Sequence, residues 1–473
     1  MGASYLIALL FAAAAIAHPT FLRYKPQASR IPVVPGTAII CACLCALFAG
    51  KLYIIYDAAH HLSQLQAYAN KLPILAIQSR DRLAIRSCDH YNNVDAERTI
   101  GIEVILIAQS ILLFFLASLL YGDPPSRRIT NVILVIAATT SAGLALFSPA
   151  MEGTDVYAYV AQAQATPSAY QPGTMPFTQE NVLLNHLWGL PLWPSPYGPL
   201  WIAISKAVIS PFPTLLGKLL ALRFSQILVV ALCAASIAIL RLPYWVQAIF
   251  IVNPMIYDAY VSEGHNDLCG AALVLAAAAL CRRFPYLAVA PAAAAGVVKL
   301  PYILIGMLAF TGEKLASKRI ILGMISMIAA CVLSMFAGGK WYWSALRHIA
   351  DASMHPASLP EAFLHATSAL CSAALLTLAV CKRRFITGAI WLIPAVGPGI
   401  LSQYLAWSFP YALLEEEPNL VFFTTLPIAM HLLNTQYEIT PLFIVLRAAL
   451  IAVPTAVIVR ALLRKRRIPS RKP

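Results

Sequence analysis

Any chemistry in this chain must come from a few polar residues standing between apolar runs. The first is Asp155, in Met151-Glu152-Gly153-Thr154-Asp155-Val156-Tyr157-Ala158-Tyr159, directly after the apolar run Ile129 to Ala150. An acid placed where a helix leaves a bilayer avoids the roughly 2.5–3.5 kcal/mol that a carboxylate costs at the bilayer centre. Such a carboxylate can take a proton from a hydroxyl group. Tyr157, Tyr159, Tyr170 and the run Pro194 to Trp201, which includes Tyr197, set rigid aromatic surface beside it. Aromatic faces suit the C–H face of a sugar ring, while polar groups bond its hydroxyls. The plainer alternative is an ordinary interfacial acid.

The second group is Ser262-Glu263-Gly264-His265-Asn266-Asp267, polar or small residues dividing two apolar runs. Asn266 or Asp267 would make a good N-cap for the following helix. A His beside two acids can instead bind a phosphate or a sugar hydroxyl, but one His with scattered acids is poor evidence for a metal. Third is Lys299, alone before Leu300-Pro301. A lone Lys on the side opposite the basic clusters needs a partner, and an anionic phosphate is one. Snorkelling is the alternative. Fourth is Gly338-Gly339-Lys340-Trp341-Tyr342-Trp343, followed by Arg347, His348 and Asp351, a mixture of cations and rings that suits either a ligand or an interfacial anchor. Fifth is Gln403-Tyr404-Leu405-Ala406-Trp407, which can bond a sugar or sit in an aromatic belt.

The elements that must position these groups are membrane helices. Of 473 residues, 60% are hydrophobic and 11% charged, against about 25% charged in an ordinary soluble domain. Apolar runs near span length recur throughout, and they are continuous rather than alternating, which excludes a β-barrel. The net charge of +14 gathers in clusters beside these runs, such as Arg127/Arg128, Arg282/Arg283, Lys382/Arg383/Arg384 and Arg464 to Arg467. That is the positive-inside pattern, so it assigns those loops to the cytoplasm and does not argue for nucleic acid. The ten cysteines lie mostly in apolar runs and give neither a disulfide framework nor a zinc spacing.

Reading the clusters as a ruler predicts an all-α polytopic membrane protein with about 14 spans, within a range of about 13–15. Residues 1–128 form N-terminal spans with an external loop at 57–100. Residues 129–410 form a core with a large external loop at 151–213 that carries short interfacial helices. Residues 411–473 add further spans and a basic tail. Val33–Tyr56, Gly101–Tyr121, Ile129–Ala150, Leu215–Leu240, Tyr244–Tyr260, Leu268–Leu280, Tyr286–Val298, Tyr302–Phe310 and Ile320–Ala337 are the spans expected before residue 340, with a polar loop at Gly338–Leu359. Residues 1–17 form a further, short span. In this walk every basic cluster lands on one side, and Asp155, Tyr197, His265, Asp267, Lys299 and Gln403 land on the other.

At these residues the chain resembles a known group. Asp155-Val156-Tyr157-Ala158-Tyr159, Pro196-Tyr197-Gly198-Pro199-Leu200, Gly264-His265-Asn266-Asp267, Lys299-Leu300-Pro301 and Gln403-Tyr404-Leu405-Ala406-Trp407 stand in the order seen in polyprenyl-phosphate-mannose-dependent mannosyltransferases. The similarity is greatest to the actinobacterial α-1,6-mannosyltransferases of lipomannan synthesis, in the GT-C superfamily. It spans roughly residues 145–410. The resemblance implies a GT-C-like fold and a polyprenyl-phosphate sugar donor. It also implies inverting transfer of a hexose, most simply mannose, to a glycan or glycolipid on the periplasmic face of a bacterial inner membrane. It implies Asp155 as the base. Lys299, His265 and Arg347 are then expected at the donor phosphate, and Tyr157, Tyr159, Tyr197, Asn266, Asp267, Gln403 and Tyr404 at the sugar or acceptor. Membrane lipid is the surrounding partner, and no cofactor is called for. The competing classes are a transporter or flippase for a lipid-linked glycan, and a lipid-linked glycan polymerase or ligase.

Overall fold

The computed structural model describes residues 32–65, 96–121, 126–148, 155–165, 169–171, 194–310 and 317–353. The expected span at 1–17, a predicted interfacial helix at 181–190, Gln403, Tyr404 and every element after 353 lie outside the described residues. Helices α1 (Val33–Leu65), α2 (Ala96–Leu119) and α3 (Arg127–Phe147) come first. Two shorter helices, α4 (Asp155–Gln164) and α5 (Pro199–Ile209), precede the long α6 (Leu215–Ile239). Helix α7 (Tyr244–Val252) leads through a single turn at Pro254–Ile256 into a π-helical turn, Tyr257–Ser262. Helices α8 (Asp267–Cys281), α9 (Val289–Val298), α10 (Tyr302–Leu308) and α11 (Ser317–Ser353) follow. The described residues contain no strand.

Within the described residues four helical stretches are long and apolar enough to span a bilayer: Val33–Ile54, Arg127–Phe147, Leu215–Ile239 and Lys318–Arg347. A fifth candidate is broken. Pro254–Ser262 and Asp267–Cys281 pass as a pair but are bent by 116° at the elbow between them. The elbow holds the Gly264-His265-Asn266-Asp267 stretch, so the polar interruption in the sequence is a change of chain direction.

The elements follow from local chemistry. Thr214 caps α6 by accepting the Gly217 N–H at 3.2 Å, and Pro199 occupies the first turn of α5, where no N–H is needed. Helices α8 and α9 are rich in Ala, and each carries one Gly. Small residues let membrane helices approach closely. At Gly270 an added Cβ would stand 2.3 Å from the Tyr302 ring. One core joins α1, α2, α3, α6, α7, the π turn and α8. A second, around Tyr157, Tyr159, Tyr197 and Trp201, joins α4 and α5 to α6.

Two expectations need correction. Residues 57–65 and 96–100, expected in a loop, are helical, because α1 runs on to Leu65 and α2 begins at Ala96; the Ala- and Leu-containing flanks are good helix formers and carry the helix past the apolar stretch. The loop expected from Gly338 is helical through Ser353. Gly339, at φ 62° and ψ −167°, is itself non-helical and marks a kink between two helical segments of α11. Within segment 151–213, α4 is buried along most of its length, and Trp201 of α5 packs on Tyr159.

Candidate active site

The site is built where α4, the elbow and the start of α10 meet. Asp155 opens α4, so its carboxylate lies at the positive end of a helix dipole. Gly264 takes φ 72°, a left-handed conformation that glycine adopts without the usual strain. An added Cβ there would lie 3.0 Å from Val156. That close approach brings His265 beside α4, and its Nδ1 lies 3.1 Å from Asp155 Oδ2. Tyr159, one turn on from Asp155, makes a long contact to the same oxygen at 3.5 Å, and its hydroxyl accepts the Asn266 N–H at 3.3 Å.

The second half is built the same way. Lys299 follows α9 in extended conformation. Its Nζ donates to both carboxylate oxygens of Asp267, at 2.8 and 2.9 Å, and stands 5.8 Å from the Tyr197 ring centre. The Tyr302 hydroxyl donates to the Asp267 carbonyl at 2.6 Å. Gly198 carries this loop against the C-terminal end of α9, just before Lys299: its N–H donates to Val298 O at 2.9 Å, and a Cβ would meet Val297 O at 2.0 Å. Ser195 donates to Gln162 Oε1 at 2.8 Å, and Tyr170 donates to the Tyr197 carbonyl at 3.0 Å.

Burial divides the four charged groups. The side chains of Asp155 and Lys299 keep 17% and 11% exposure, whereas His265 keeps 5% and Asp267 none. Each partly accessible group is therefore held by a more deeply buried partner of opposite formal charge. Burial alone would raise the Asp155 carboxyl. The hydrogen bond and charge of His265, the charge of Lys299 and a hydrogen bond from Tyr197 outweigh it and hold the carboxyl below its ordinary range. Burial would lower the His265 pKa. The bond to Asp155, with the charges of Asp155, Glu263 and Asp267, raises it instead.

Several sequence expectations look different in place. Lys299 does have an anionic partner, but it is Asp267. Asn266 stands at the N-cap position of α8, yet its side chain makes no capping bond, and both its polar atoms are buried without hydrogen-bond partners. Tyr157 and Tyr159 are fully buried, and Tyr159 packs edge-on against Tyr197 and Trp201 at 4.8 and 5.1 Å. These rings build the wall behind Asp155 rather than an open platform. Arg347 is exposed on α11. Tyr342, five residues earlier, is buried against Tyr170 at 5.0 Å. Tyr302 and Gly198 were missed as supports; the Tyr197-Gly198-Pro199 sequence held the only clue, a glycine where two backbones meet. No cluster of three or more metal-ligating residues occurs among the described residues.

An all-α polytopic membrane protein that gathers a carboxylate, an imidazole and an amine beside a broken span is the class this architecture defines. Residues 76–316, just over half of the chain, match the family described as alpha-(1->6)-mannopyranosyltransferase, N-terminal domain. The chain belongs to that family, and it is a glycosyltransferase. No curated protein and no solved structure matches it.

Proposed function

We propose that the protein transfers mannose from a polyprenyl-phosphate donor to a glycan or glycolipid acceptor, with inversion, in a GT-C-like site on the external face of a bacterial inner membrane. One observation carries the reading: the partly exposed Asp155 and Lys299 are each held by a deeper partner. Asp155 accepts the proton of the acceptor hydroxyl as its oxygen bonds to the anomeric carbon. The bond from that carbon to the phosphate oxygen breaks, and polyprenyl phosphate leaves with the electron pair. General-base help of this kind supplies about 10²–10⁴-fold. A phosphate leaving group needs little acid catalysis but gains from fixed positive charge, which Lys299 supplies. His265 keeps Asp155 ionised and aimed, and Asp267 does the same for Lys299. The family supports mannose as the sugar moved, and the basic clusters beside the spans support the assignment of the face.

The test uses purified protein in vesicles, a mannosyl polyprenyl-phosphate donor and an α-1,6-linked mannoside acceptor. Release of polyprenyl phosphate matched by growth of the acceptor is the expected result; its absence removes the reading. The bent pair at the elbow also suits a carrier of lipid-linked glycans, because carriers use broken helices with charged groups at the break. Movement of labelled donor across the bilayer with no phosphate released would favour that alternative.

A further inference from the structure

A third buried ion pair lies outside this site. Lys51 of α1 bonds Asp258 of the π turn, across a separation of 207 residues, and both side chains are almost wholly buried. Lys51 stands close to the end of the apolar stretch Val33–Ile54, and α1 precedes the matched residues 76–316. Taking two charges out of water is costly, so such a pair is weak evidence for stability; its best-attested use is to fix a register.

The surroundings show which register is fixed. A π turn is rare, is favoured at functional positions and is inherently less favourable than an α turn. Here the Asp258 carbonyl accepts the Glu263 N–H at 3.1 Å, the i to i+5 bond that closes the turn. Asp258 is thus held to α1 by its side chain and holds Glu263 by its main chain. Gly264 and His265 come next. On the other side Ser262 bonds the hydroxyl of Ser148, and Ser148 follows directly on α3, the helix that leads to Asp155. Reversion to α geometry would rotate the residues beyond the turn by about 100°, one residue's worth of helix. His265 would then swing away from Asp155.

We infer that the Lys51–Asp258 pair is a clasp that keeps the π turn in place and so positions His265 against Asp155, which makes α1 a support of the active site. Lys51 and Asp258 are positioning residues; neither touches the reacting atoms. The effect on turnover rests on the transfer reading above, whereas the effect on geometry does not.

The experiment compares wild type with the neutral double variant Lys51→Met/Asp258→Asn in the full-length protein, by thermal unfolding, by kcat and KM, and by NMR titration of His265 assigned with His265→Gln. Replacing both members removes the pair without leaving a buried unpaired charge. The expected outcome is a folded variant with kcat down by about 10–100-fold, as for displacements of about 1 Å, KM within about twofold of wild type, and a His265 midpoint that falls. The pair is net neutral, so its loss from an unmoved structure would shift His265 little. A folded variant with wild-type kcat and a wild-type His265 midpoint overturns the clasp. If the double variant does not fold, Asp258→Glu carries the test. It keeps both charges and pushes the turn off α1 by one methylene: a fall in kcat and in the midpoint supports the clasp, and wild-type values for both overturn it. If wild type shows no transfer, the transferase reading fails, and the His265 titration still decides the clasp.

Discussion

Replacing Asp155 by Asn separates the two things this carboxylate is held to do. Asn keeps the shape and can still accept from His265 Nδ1, now as a neutral hydrogen bond. A bond to a charged group contributes about 1.5–3 kcal/mol and a neutral one about 0.5–1.5, so the variant should lose about 1–1.5 kcal/mol of stability and stay folded. Its transfer rate should fall by about 10²–10⁴-fold, the contribution of a positioned base. The stability loss should depend on pH with a definite sign. Asp155 is depressed in the folded protein, so its contribution is present above the unfolded carboxyl range and is lost as pH falls through its folded pKa. His265 is raised, so its contribution is full below about 6.5 and is lost as pH rises through its folded pKa. The gap between wild type and Asp155→Asn should therefore be widest at about pH 4–6.5 and should narrow in alkali. Thermal unfolding of both proteins across this range reads the gap, and a vesicle transfer assay reads the rate. A gap that does not change with pH would refute the pairing of Asp155 with charged His265. Retention of substantial transfer would remove Asp155 as the base.

Other substitutions test the supports. Asp267→Asn leaves Lys299 without the charge it binds at 2.8 and 2.9 Å, and should cost about 3–5 kcal/mol, most of it recovered when Lys299→Met is added; a denaturation double-mutant cycle showing strict additivity would contradict this. Gly198→Ala sets a Cβ 2.0 Å from Val297 O and endangers the Gly198 bond to Val298. It should cost about 1–3 kcal/mol for overpacking and about 1 kcal/mol for the bond, with a raised donor KM because Lys299 moves; unchanged unfolding and KM would refute it. Gly264→Ala meets both the positive φ and Val156, and should lose about 1–2 kcal/mol to left-handed strain together with a fall in kcat, measured by unfolding and initial rates.

Physical patterning made part of this legible. Continuous apolar runs announced membrane helices, and α6 begins at the residue expected and ends one residue early. Asp155, His265 and Lys299 were visible because a charge beside an apolar run is conspicuous. What charge placement could not reveal was pairing. Lys299 invited an external anion, and the chain supplied Asp267. Lys51 and Asp258 lie 207 residues apart, and no spacing rule joins residues so distant. The Gly338-Gly339 pair marked the right place but the wrong outcome: a glycine at φ 62° bends α11, and the residues beyond it resume the helix.

The charges at the elbow lead to one more prediction. Asp155, Glu263 and Asp267 contribute three formal negative charges, and His265 and Lys299 contribute two positive ones while His265 is protonated. Deprotonation of His265 leaves two net negative charges around the site proposed to receive a phosphodiester, which adds another. Donor binding and protonation of His265 must therefore favour each other, because a ligand that prefers one state shifts the equilibrium toward it. The donor KM should stay flat below the raised pKa of His265 and climb above it, tenfold for each 1.4 kcal/mol of lost attraction. His265→Gln should lose the pH-dependent rise, since no imidazole remains to titrate, whereas Lys299→Met should raise KM at every pH without moving the inflection. Initial rates at varied donor and pH distinguish the cases. A donor KM constant from mild acid to alkali in wild type would show that the phosphate binds elsewhere and that the elbow's charges serve the acid alone.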